Sequence, residues 1–113
     1  MRYDVKNTLN EFNSLMNDIR KNIPEEYSAF IEQKAVLTKD GKLPSKQKWL
    51  ILLAVSVIAK CPICIPKAVQ HCLEAGWNKP EMLEACMISV LVGGSSTMTY
   101  VTLVDKAIDE LKK

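Results

Sequence analysis

The residues best suited to chemistry sit in one short stretch, Lys60-Cys61-Pro62-Ile63-Cys64-Ile65-Pro66-Lys67. Two thiols separated by two residues can close a small ring, hold a metal, or exchange electrons as a dithiol/disulfide couple. The reactive form of cysteine is the thiolate, which helix N-termini and nearby cations stabilise. Pro62 has no amide hydrogen and a φ preset for helix, so it suits a first helical position, with Cys61 as cap and Cys64 in the first turn. A second reading starts the helix near Ile65, with Cys64 as cap and Pro66 in the first turn. In both, the pair lies at a helix start between Lys60 and Lys67.

A metal is the competing use of these sulfurs. A structural zinc site needs four ligands, commonly two paired sets. This chain offers one CxxC, then Cys72, Cys86 and a single histidine, His71. A zinc site from Cys61, Cys64, Cys72 and Cys86 is one alternative, and a chance pair of core cysteines is another. Redox chemistry is the leading expectation, with no metal and no cofactor.

The surrounding chain must position that pair. Its 113 residues suit a single domain, 1–113. Apolar residues make up 48% of the chain and aromatics only 6%. With Gly and Pro scarce, that balance favours an all-α fold. The formal net charge is +2 with acids and bases interspersed, so no basic stripe points to nucleic acid. Met1-Arg2-Tyr3-Asp4 leads into a polar amphipathic segment and does not resemble a signal peptide. The longest apolar run, Trp49 to Ala59, falls well short of the ~20 residues that span a bilayer. The expectation is a cytoplasmic protein without membrane partners, in which a CxxC is reduced at rest and catalytic more often than structural.

Periodicity supplies the helices. Val5, Leu9, Phe12, Met16, Ile19 and Ile23 alternate four- and three-residue steps, a heptad-like seam over residues 1–23 that suits a neighbouring helix, including one from another subunit. Pro24 opens the next helix, with Glu25 and Glu26 favourable to its dipole and an apolar face of Tyr27, Phe30, Ile31 and Val36. Asp40-Gly41 marks a turn. Ser45 is a plausible cap for the helix through Trp49–Ala59, which is apolar nearly all round and so expected to be buried on most sides. After the CxxC, Ala68, Val69, Cys72, Leu73 and Ala75 continue an amphipathic helix toward Gly76, a natural C′ residue. Asn78 and Glu81 have capping-box spacing, and Met82, Leu83, Cys86, Met87, Val90 and Leu91 follow. Gly93-Gly94 breaks that helix. Ser95 or Ser96 is expected to cap the last one, with Met98, Val101, Val104, Ile108 and Leu111 on its face. A strand over 97–104 is the alternative, because β-branched residues crowd there.

With these elements placed, residues 27–111 resemble the carboxymuconolactone decarboxylase family, in its alkyl hydroperoxidase D-like branch. The likeness rests on the apolar helix, Cys61-x-x-Cys64, Glu74-Ala75-Gly76, Pro80-Glu81 with Glu84-Ala85, and Val92-Gly93-Gly94, in that order. The resemblance implies an all-helical fold of five to six helices that assembles as a homo-oligomer, a trimer or hexamer. It also implies a peroxidase in which Cys64 attacks the peroxide and passes through a sulfenic acid, while Cys61 resolves it as a disulfide. The partners would then be a hydroperoxide or disulfide substrate and a thiol reductant or redox protein.

The same resemblance places a glutamate twelve residues before the first cysteine and a histidine four after the second, relaying the proton off the attacking thiol. Here those positions hold Trp49 and Ala68, which carry no proton. His71 shares the helical face of Cys64 but lies seven residues on, about 10 Å along the axis. Thiolate formation then rests on the helix terminus and on Lys60 or Lys67, with no positioned general base. A thiol oxidoreductase, peroxidase or disulfide reductase, remains the first expectation. A non-catalytic oligomeric scaffold with a metal-binding or redox-sensing CxxC and a decarboxylase-branch enzyme are the alternatives.

Overall fold

The computed structural model describes residues 2–112, which form six α-helices and no strand. In chain order these are α1 (Val5–Asn22), α2 (Pro24–Thr38), α3 (Ser45–Ile58), α4 (Cys64–Glu74), α5 (Lys79–Gly93) and α6 (Ser95–Leu111). The β-branched stretch 97–104 is helical. Val101, Val104 and Ile108 face the core from it, so tertiary burial outweighs strand propensity.

Helices α3 to α6 are the packed body. Helix α3 lies against α4 and α5, and α6 closes the opposite side against the same two. Leu53, Val57, Ile65, Val69, Met82, Val104 and Ile108 are fully buried between them. The start of α1 joins this core through Val5 and Leu9, and the Asp4 carboxylate caps it by accepting from the Asn7 amide.

The heptad-like seam of α1 is only half used. Phe12 and Met16 are partly covered, while Ile19 and Ile23 are exposed. Helix α2 buries no residue at all, and Phe30, Ile31 and Val36 of its expected apolar face are exposed. The far half of α1 and α2 thus form an arm that adds nothing to the buried core, though α2 still touches α3. The radius of gyration, 14.5 Å, exceeds the roughly 13 Å of a compact domain this long.

Helix α3 departs from its expected burial for the same reason. Leu53, Ser56 and Val57 are enclosed, but Ile51, Leu52 and Val55 face outward. An all-round apolar helix indicates that every face needs a cover. Within one copy of the chain, only one face has it.

Several helix ends follow the sequence closely. Asn78 and Glu81 form a reciprocal capping box, and Gly76 adopts φ 95° at the end of α4. Others differ. Pro44 is the cap residue of α3, and Ser45 is its first helical residue, its amide taken by the Asp40 carboxylate. Gly94, at φ 78°, is both the last cap of α5 and the first of α6, so Ser95 and Ser96 fall inside the first turn.

Candidate active site

The redox loop begins where α3 stops. The Lys60 amide bonds the Val57 carbonyl (3.0 Å) and the Cys61 amide bonds the Ser56 carbonyl (3.3 Å), which together make a Schellman closure. That closure needs a left-handed residue at its corner. Gly76 fills this place at the end of α4, but here the residue is Lys60, with φ 57°. A left-handed side-chain-bearing residue costs about 1–2 kcal/mol. The Lys60 ammonium then reaches Ser96 Oγ at 3.0 Å, tying the loop to the start of α6.

A second tie comes from the other end of the chain. The Tyr3 hydroxyl donates to the carbonyl of Pro62, between the two cysteines. Burial, with Glu110 adding repulsion, pushes the Tyr3 phenol up to about 12, so it stays a neutral donor. The loop is therefore fixed from α6 and from the segment before α1.

Cys61 and Cys64 are joined as a disulfide, with Cα atoms 5.2 Å apart, in the ordinary range for such a bridge. Regular helix starts at Cys64, with Ile63 as cap residue and Pro66 third in the helix. This is one residue from the reading with Cys64 as cap, and it removes Cys61 from the cap position. Pro66 fits because its missing N–H lies in the first turn, where no intrahelical partner exists. The Ile65 amide bonds the Cys61 carbonyl (3.1 Å), and the Cys64 amide points at Cys61 Sγ (3.1 Å). Cys64 is exposed and Cys61 half-buried.

The other thiols are separate. Cys72 and Cys86 are fully buried and free. Burial pushes both up to about 12, with Cys86 adding to the effect on Cys72. The Cys72 thiol donates to the Trp49 carbonyl at 3.3 Å. Among the described residues no three His, Cys, Asp or Glu side chains converge as a metal site, so the four cysteines do not form the alternative zinc cluster.

At the two relay positions the chain has built something else. Ala68 is sealed in the core. The Trp49 indole stacks on the His71 imidazole, with centroids 4.0 Å apart and planes 8° from parallel. His71 is thus a half-buried helix side chain packed face to face on an indole. Desolvation, with Lys34 and Lys67 opposing protonation and Glu74 favouring it, lowers its pKa. Lys67 does not simply flank the thiols: its ammonium lies 4.2 Å from the centre of the Phe12 ring. Sequence reasoning missed the Tyr3 bond and the Trp49–His71 stack. Both join residues far apart in the chain, and no local spacing encodes them.

Comparison with known proteins places these features. The profile of the carboxymuconolactone decarboxylase family matches residues 24–107. An uncharacterized protein of Cupriavidus necator is 28% identical over 100 residues, 88% of each chain. The crystal structure of a carboxymuconolactone decarboxylase family protein from Legionella pneumophila superposes with a TM-score of 0.93 at 28% identity, covering 96% of this chain and 97% of that one. A family protein from Thermotoga maritima, suggested to be involved in antioxidative response, gives a TM-score of 0.71 at 25% identity, covering 86% and 89%.

Proposed function

The chain belongs to the carboxymuconolactone decarboxylase family, and from that premise we propose that it is a thiol oxidoreductase cycling Cys61 and Cys64 between dithiol and disulfide. The observation that carries this reading is the bridged pair itself, at an exposed helix start, while both remaining thiols are buried and unpaired. The antioxidative role suggested for the Thermotoga maritima protein agrees with it.

In the peroxidase form, the Cys64 thiolate attacks the distal oxygen of a hydroperoxide ROOH. An S–O bond forms, the O–O bond breaks, and RO⁻ leaves and takes a proton as ROH. The Cys61 thiolate then attacks the Cys64 sulfenic acid, releasing hydroxide and closing the disulfide. Two electrons from an external thiol reductant reopen it. The exposure of Cys64 supports its role as the attacking sulfur, since peroxide must reach it from solvent.

A second form is favoured by one bond. The Cys64 amide aims at Cys61 Sγ, and in the reduced protein such a donor stabilises charge on that sulfur. Cys61 would then attack a substrate disulfide, and the enzyme would be a disulfide reductase. The two forms separate by trapping. Reduced Cys61→Ser and Cys64→Ser proteins are treated with a hydroperoxide and, separately, with a small-molecule disulfide, and sulfenic acid and mixed disulfide are mapped by peptide mass. Sulfenic acid on Cys64 in the Cys61→Ser protein supports the peroxidase form. A mixed disulfide on Cys61, with no sulfenic acid at either site, supports the reductase. Inertness of both variants to both oxidants defeats the redox reading.

We further propose a homo-oligomer, a trimer or hexamer. Ile51 and Val55 of α3 and Ile88, Leu91 and Val92 of α5 leave one broad apolar face open, including a groove of about 390 Å³ between the two helices. Exposed patches of this kind mark interfaces. An open apolar groove of this kind suits a second copy of the chain.

A further inference from the structure

We propose that Tyr3 is a positioning residue for the redox pair: its hydroxyl holds the peptide between the two cysteines, and through it the amide that stabilises the Cys61 thiolate. The inference rests on the thiol-redox reading and adds to it a residue from outside the CxxC. In either form of that reading Cys61 attacks as a thiolate, on a Cys64 sulfenic acid or on a substrate disulfide.

The geometry runs through two successive peptide units. The Tyr3 hydroxyl donates to the Pro62 carbonyl, which belongs to the Pro62–Ile63 unit. Pro62 has no N–H, so this carbonyl is the one backbone group it offers to a partner. A peptide unit is planar, so a bond to its oxygen restrains the whole plane. The φ and ψ of Ile63, −88° and −40°, separate that plane from the next. The next unit carries the Cys64 N–H, which points at Cys61 Sγ from 3.1 Å. A donor held on a sulfur favours its charged form.

These ties do not depend on the disulfide. Reduction breaks a bond between the sulfurs, whereas the loop is held from Ser56 through the Cys61 amide, from Ser96 through Lys60, and from Cys61 through the Ile65 amide. None of those three grips the Pro62–Ile63 unit, and the Tyr3 bond does. The Tyr3 ring packs against the core, so the hydroxyl stands on an anchored side chain. The phenol pKa, pushed up to about 12, keeps it a donor across the range in which a thiol titrates. The charged groups beside this pair are Lys60 at the loop and Glu110 near the phenol, and both are common to every protein compared below.

Tyr3→Phe keeps the ring and removes the donor. The comparison is made in Cys64→Ser protein, which keeps the backbone amide and leaves Cys61 as the accessible thiol, since Cys72 and Cys86 are fully buried. The probe is 2-hydroxyethyl disulfide. The Cys61 thiolate attacks one of its sulfurs, a mixed disulfide forms, and 2-mercaptoethanol leaves as its thiolate. The rate of that step against pH gives the Cys61 pKa, which should rise by about one unit in Tyr3→Phe, part of the worth of a hydrogen bond to a charged group. A less acidic thiol makes a stronger nucleophile once ionised, so the two pH–rate curves should cross. Well below both pKa values the variant should react about threefold slower, and well above them about threefold faster. A loop that is merely looser exposes Cys61 and speeds the reaction at every pH, with no crossing.

Asp4→Ala is the control for a purely structural role. It removes the carboxylate that caps α1 and loosens the same segment, but leaves the phenol and the Pro62 carbonyl in place. It should lower the melting temperature and keep the parental Cys61 pKa. An unshifted pKa in Tyr3→Phe, or equal shifts in the two variants, overturns the positioning role. The redox reading is tested apart from it, with both cysteines present. If that protein cycles between dithiol and disulfide while the curves fail to cross, the role of Tyr3 fails alone. If the curves cross but the pair does not cycle with a hydroperoxide or a disulfide, the redox reading fails and the hold of Tyr3 on the thiolate stands.

Discussion

His71 carries a pH dependence whose sign follows from its surroundings. Burial first, then the charge of Lys34 and of Lys67, hold its pKa below the ordinary 6.5, against the pull of Glu74. As pH falls through about 6.5 the unfolded chain takes the proton before the folded one, so unfolding is favoured. Stability should be flat with respect to this group above pH 6.5 and decline from there toward the lower folded value. Denaturant midpoints at pH 7.5 and 5.5 measure it, and His71→Gln should remove that part of the decline. An unchanged slope in the variant would show that the decline belongs to carboxylates. Lys60 offers a second test. Lys60→Gly relieves the left-handed backbone and should stabilise the protein by about 1 kcal/mol, part of the strain being offset by glycine's greater unfolded freedom. The same change removes a cation beside Cys61, so it should also slow thiol oxidation. A more stable protein that oxidises at the parental rate would show that the ammonium serves only its bond to Ser96.

Among the elements, the α5–α6 junction is the most tightly constrained. Gly93 ends α5 so close to α6 that a β-carbon there would overlap the buried Thr97 hydroxyl and lie 3.3 Å from Ile58 Cγ1. Alanine is the better helix former by about 1 kcal/mol. The crowding should still win, because Thr97 is fully enclosed and its own β-carbon would lie 3.0 Å from the added atom even if the hydroxyl turned. Gly93→Ala should therefore cost about 1–3 kcal/mol, the usual range for overpacking, and lower the melting temperature. A raised melting temperature would mean that α6 can shift. Much of this architecture was legible in advance. The Asn78–Glu81 box, Gly76 and the Gly93-Gly94 break are local signals, and they placed α4, α5 and α6 correctly. The CxxC at a helix start was legible for the same reason. Local spacing carries no record of what lies opposite a side chain, so three features stayed hidden: the Tyr3 bond to Pro62, the Trp49 stack on His71, and the uncovered face of α3. Ala68 illustrates the limit. The resemblance places a histidine at its position, one turn from Cys64, but spacing gives no sign that this residue is sealed in the core, where an imidazole would have to displace its neighbours.

At the scale of the whole molecule, the apolar faces left without a cover are the ground for the proposed assembly. Leu91 and Val92 are 82% and 80% exposed, and α2 buries nothing. Sedimentation at micromolar concentration should find three or six copies. Val55→Glu with Leu91→Glu should give smaller species of unchanged helical content, since both side chains stand outside the single chain's core. A monomeric parent would sink the assembly, and a double variant that assembles normally would move the interface to the α1–α2 arm.

The bond from Tyr3 to Pro62 joins residues 59 apart in sequence, and it gives the redox loop a partner in its fluctuations. When the start of α1 lifts from the core, Val5 and Leu9 leave with it, and the carbonyl between the two cysteines loses its donor in the same event. Opening of the N-terminal helix and loosening of the disulfide loop then form one cooperative unit, with a shared opening free energy lower than that of the α3–α6 body. Native-state hydrogen exchange would show this as matched protection of the Leu9 and Ile65 amides. In Tyr3→Phe the two should separate, the loop exchanging faster while α1 keeps its rate. Matched rates that persist in the variant would place the coupling in the apolar contacts of Val5 and Leu9.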